Sequence, residues 1–130
     1  MRTIKFRGKT LGTNAWVFGN LIQYENRSPE IINKYKFVVK SDTIGQFTGL
    51  LDKNGKEIYE GDIVKTKGNW GGVVTWNSRG YFYINDSYYT EEPDLTPLGS
   101  LNCYVRRDIE IVGRDYDKYK PIFDGIRTEK

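Results

Sequence analysis

Ile4-Lys5-Phe6-Arg7 alternates apolar and basic residues, the period of a half-buried strand. Gly8 follows it and is expected to open a turn. Trp16–Ile22 reads as a second strand, with Gly19 expected to supply a bulge or bend. Residues 24–34 are polar, and Ser28-Pro29 has the form of a helix cap followed by proline at the first helical position. One short helical turn is therefore expected there. Residues 36–39 form another apolar strand candidate. Asp52-Lys53-Asn54-Gly55-Lys56 carries the Asn-Gly pair of a tight turn, since both residues tolerate positive φ. Short strands then follow at roughly 62–66, 72–76, 81–85, 101–106 and 109–113. That density of short strands between turn signals predicts an all-β barrel or sandwich rather than βαβ units.

The segment from Gly72 to Ile84 is the most informative. As a hairpin with a four-residue loop at 77–80, it would oppose Trp76 to Tyr81 and Val74 to Tyr83. Opposed residues share a face. One face would then carry Val74, Trp76, Tyr81 and Tyr83, and the other Val73, Thr75, Phe82 and Ile84. The aliphatic second face suits the core. The first, flanked by Arg79, Lys65, Lys67 and Trp70, could stack bases, clamp a peptide or form a subunit interface. The bland alternative is that this face is covered by the N-terminal residues, whose Trp16 and Phe18 also need burial.

Composition strengthens the β reading. The 130 residues contain one alanine, Ala15, against ten tyrosines, six phenylalanines and three tryptophans. Alanine favours helices and aromatics favour pleated surfaces. A chain of this length fits one domain with one core. We divide it into an N-terminal extension over about 1–60, a core over about 61–113 and a polar tail over 114–130.

Charge adds a second feature. The formal net charge is only +3, yet residues 1–40 hold eight Lys/Arg and two acids, Glu25 and Glu30. A basic N-terminal face could meet an anionic partner, or it could be an ordinary solvated surface. The opening residues lack an apolar run, and no stretch is long enough to span a bilayer, so a cytoplasmic protein without membrane contact is expected.

Chemistry narrows the function classes further. With no histidine, the commonest general base and metal ligand is missing. Cys103 is alone, so it has no disulfide partner within the chain and no imidazole to activate it. Residues 50–61 invite a calcium-loop reading, but aligning Gly55 with the loop glycine places Leu50 and Gly61 where Asp and Glu are required. Asp62 with Asp108 or Glu110 could form a carboxylate pair, although an Asp after a strand-opening glycine more often bonds its own backbone. Neither catalytic residues nor a cofactor are expected.

Several blocks resemble one known family. These are Arg2-Thr3-Ile4-Lys5-Phe6-Arg7-Gly8, Trp16-Val17-Phe18-Gly19, Asp42-Thr43-Ile44-Gly45-Gln46-Phe47-Thr48-Gly49-Leu50, the stretch from Asp52 to Val64, and Ile111-Val112-Gly113. Together and in order they resemble the YopX-like proteins of phages and prophages. The resemblance implies a small SH3-type β-barrel with an N-terminal β extension, and it carries over no catalytic residue. The expected function is a non-enzymatic accessory module. Its partner would be a second copy of the chain, a phage or host protein, or nucleic acid. The rival class is a carboxylate- or metal-dependent enzyme.

Overall fold

The computed structural model describes residues 3–65, 71–85 and 109–114. The described strands are all antiparallel and form two sheets, rather than closing into one barrel. The chain divides into two compact units, Met1–Gly49 and Leu50–Lys130. No helix among the described residues is long and apolar enough to cross a membrane.

Unit 1 contains β1 (Phe6–Lys9), β2 (Trp16–Ile22), β3 (Glu30–Ile32), β4 (Lys36–Val38), a 3₁₀ turn at Ser41–Thr43, and β5, which starts at Gly45. The strand order is β4-β3-β2-β1-β5. Its buried apolar side chains include Ile31, Val39 and Phe47. Each contributes roughly 1.5–3 kcal/mol on burial.

Three local expectations fail here for identifiable reasons. Gly8 does not open a turn; it lies inside β1, and a Cβ there would stand 3.0 Å from Val39 Cβ. The glycine lets Val39 pack onto the strand. Gly19 makes no bulge, since β2 pairs with β1 in unbroken register. Its Cβ would meet the Ile32 carbonyl oxygen at 2.3 Å, so the missing side chain admits a neighbouring backbone. Ser28-Pro29 starts no helical turn; it leads directly into β3, whose Ile31 is fully buried. Burial of one isoleucine in a paired strand outweighs a local capping signal.

Unit 2 takes over within β5 (Gly45–Leu51) and continues through β6 (Glu57–Tyr59), β7 (Ile63–Lys65), β8 (Gly71–Asn77), β9 (Tyr81–Asn85) and β10 (Glu110–Gly113). The last four form a sheet in the order β10-β7-β8-β9. Ile58, Val64, Val74, Phe82, Ile84 and Ile109 make the buried cluster, with Leu50 and Ile111 against it. The strands expected near 62–66, 72–76, 81–85 and 109–113 therefore all appear. The one expected at 101–106, and the tail after Arg114, lie outside the described residues.

Candidate binding face

The β8–β9 hairpin departs from the expected register by one residue. Asn77 pairs with Tyr81, Trp76 with Phe82, Thr75 with Tyr83 and Val74 with Ile84. The loop is therefore residues 78–80. Gly80 sits at φ +100° and its N–H donates to the Asn77 carbonyl at 2.9 Å. This is the three-residue hairpin loop that closes on a left-handed glycine. The Asn77 side chain fixes it further, accepting the Arg79 N–H at 2.8 Å.

A one-residue slip reassigns the faces. Trp76 shares the core face with Val74, Phe82 and Ile84, whereas Tyr81 and Tyr83 lie on the opposite face with Val73 and Thr75. The expected platform of Trp76, Tyr81 and Tyr83 on one side does not form. Trp76 packs edge-on against Phe82 at 4.8 Å and remains 43% exposed at the end of the core face. Tyr81 and Tyr83 meet edge-on at 6.5 Å, and the Tyr81 hydroxyl accepts from Asn77 Nδ2 at 3.1 Å. Arg79 is exposed at the loop. Lys65 lies on the tyrosine face, but its Nζ is 3.7 Å from Glu110, which also holds Lys53 at 3.2 Å. Lys67 and Trp70 lie outside the described residues, as do Cys103 and Asp108.

The two buried aspartates described in unit 2, Asp52 and Asp62, serve the backbone. Asp52 is 6% exposed. Its Oδ1 accepts the N–H groups of Asn54 and Lys56, and its Oδ2 accepts that of Ile111 in β10. Burial would raise its pKa. The N–H donors of Lys56, Ile111 and Asn54, with the Lys56 charge, outweigh that and hold the carboxyl below its usual value. Asp62 is fully buried and its Oδ2 accepts the Tyr59 N–H at 2.8 Å, the backbone role expected of it. Among the described residues, no three His, Cys, Asp or Glu gather as a metal-binding group.

Unit 1 holds a feature that the sequence reading missed. Lys5, immediately before β1, alternates with Arg7 and Lys9 within it, and aromatic rings flank them. Arg7 lies 4.4 Å and Lys9 5.2 Å from the Trp16 ring, while Lys5 lies 5.5 Å from Phe47. Arg7 is only 1% exposed, so the middle of this row is interior. Two further pairs stand nearer the surface: Arg27 over Tyr24 at 3.8 Å, and Lys34 over Tyr35 at 5.8 Å. The signal available beforehand was the alternation of basic residues in β1, which marks one face of a strand but cannot name the ring on the next strand.

No curated protein matches the chain. The family model described as YopX protein matches residues 5–119, which takes in the ordered blocks on which the resemblance rested apart from Arg2-Thr3-Ile4. The chain therefore belongs to the YopX protein family.

Proposed function

We propose that this chain is a non-enzymatic accessory protein of phage or prophage biology, resident in the bacterial host cytoplasm, that acts by binding a polyanionic partner. The observation that carries the reading is the division of charge. Residues 1–49 hold eight Lys/Arg against three Asp/Glu, while the rest of the chain holds 12 against 14. A net charge of +3 thus conceals a cationic first unit, which can attract phosphates without the whole protein being strongly basic. The described carboxylates Asp52, Asp62 and Glu110 are engaged by backbone N–H groups or lysines, which supports binding over catalysis. For unit 2 the finer architecture we attach to this reading is a small SH3-type barrel. Its support is the meander β7-β8-β9 with β10 returning beside β7.

Titration of labelled oligonucleotides at rising salt tests the proposal. Binding at low salt that weakens log-linearly with salt is expected; no binding at low salt overturns it. A second reading, self-association, draws support from Trp76, a large half-exposed ring at the end of the core face. Sedimentation of the wild type and Trp76→Ala decides it. Dissociation of an oligomer by the substitution would favour assembly, and a monomer at high concentration would remove it.

A further inference from the structure

The edge hairpin of unit 1 displays groups that the fold itself does not use. Tyr35, in the turn between β3 and β4, is 63% exposed, the most exposed large apolar side chain among the described residues. The backbone of the turn that carries it is tied by hydrogen bonds. Asn33 N–H donates to the Tyr35 carbonyl at 2.9 Å, Tyr35 N–H donates to Asn33 Oδ1 at 2.9 Å, and Asn33 Nδ2 donates to the Phe18 carbonyl at 2.8 Å. Phe37 backs the ring edge-on at 6.4 Å. Lys34 and Lys36 flank Tyr35 in sequence and are both exposed.

At the other end of the same hairpin, exposed Arg27 lies over Tyr24, whose hydroxyl donates to Glu30. Glu30 is buried and so engaged. Among the described residues no carboxylate pairs with Arg27, Lys34 or Lys36. The strip therefore combines an exposed ring, with Lys34 Nζ 5.8 Å from its centre and Phe37 at its edge, and cations that no described carboxylate offsets.

Resting on the polyanion reading above, we propose that hairpin β3–β4 is the docking surface for single-stranded nucleic acid, with a base stacking on Tyr35 and phosphates held by Lys34, Lys36 and Arg27. The charge of the strip selects a polyanion, and the flat ring selects an unpaired base, since a duplex hides its base faces. An acidic polypeptide would satisfy the cations and leave the ring without a partner.

The test is fluorescence anisotropy of a labelled oligothymidylate of roughly 16 nucleotides with the full-length chain, at several salt concentrations. Tyr35→Ala should weaken binding at least about fivefold at every salt concentration, the loss of one stacked base. Lys34→Gln with Lys36→Gln should lower the slope of log affinity against log salt by about 1.4, two phosphate contacts on a single strand. All three side chains are exposed, so thermal unfolding should be unchanged and serves as the control. Wild-type binding that both variants retain would overturn this site while leaving the polyanion reading intact, whereas a wild type that never binds fails both. Equal affinity for duplex, or equal competition by polyglutamate, would overturn stacking on Tyr35. Loss of an oligomer in Tyr35→Ala with binding unchanged would make the strip a protein interface.

Discussion

Two turns of unit 2 have the same backbone and different uses. In residues 52–56 and 77–81 an Asx residue opens a three-residue loop, its carbonyl accepts the N–H of a glycine three positions on, and its Oδ1 accepts the N–H two positions on. Gly55 and Gly80 close the loops at φ +81° and +100°. The difference is what the first side chain does next. Asp52 is buried and uses its other oxygen to hold Ile111 of β10. Asn77 is half-buried and reaches only to the Tyr81 hydroxyl inside its own hairpin. One turn joins distant strands and the other merely shapes a loop. A charged side chain at the first position gives strong bonds to several N–H groups at once, whereas an amide suffices where only the loop needs fixing.

That contrast can be broken most forcefully at Asp52. Asp52→Ala leaves three N–H groups without their acceptor, and should cost about 3 kcal/mol or more in urea unfolding. Asp52→Asn keeps the shape and loses the charge, so about 1–2 kcal/mol is expected. The carboxyl's pKa is lowered in the fold, so its contribution is present above the unfolded-state pKa of about 4 and is lost as pH falls through the folded value. Acid unfolding should therefore begin below about pH 4, and Asp52→Asn should flatten that part of the profile. Gly55→Ala and Gly80→Ala sharpen the likeness rather than the difference. Neither Cβ would meet any atom within 4 Å, so each should cost only the left-handed backbone penalty, about 1–2 kcal/mol, and the two values should agree. Asn77→Ala should have the smallest effect, about 0.5–1 kcal/mol, with no change in the acid limb.

The same pair of turns shows what was legible beforehand. β2 and β9 were located to the residue, as short runs rich in aromatic and branched apolar side chains. The sequence reading missed β3, where Ser28-Pro29 signalled a helical turn instead, and also β5 and β6, although β4 and β7, as short as β3 and β6, were found. The hairpin register was readable but misread. Asp52-Lys53-Asn54-Gly55-Lys56 and Asn77-Ser78-Arg79-Gly80-Tyr81 have the same spacing from Asx to Gly, and placing the glycine at the left-handed position pairs Asn77 with Tyr81. Counting four loop residues instead put Trp76 on the tyrosine face, whereas Phe82, Tyr81 and Tyr83 were placed correctly. The rings beside the β1 cations were not legible beyond the basic alternation itself, since pairs such as Lys5 and Phe47 depend on strand order for their adjacency.

The bond from Ile111 to Asp52 spans 59 positions, and a second contact, Lys53 N–H to the Ile109 carbonyl, closes the same interval. A link of such sequence separation gathers its free energy only after the intervening chain has lost its freedom, so it belongs to the downhill side of the folding barrier. Removing the Asp52 carboxylate should leave the refolding rate nearly intact and raise the unfolding rate. In that sense the buried carboxylate is a timing element, setting how long unit 2 stays folded rather than how quickly it is made.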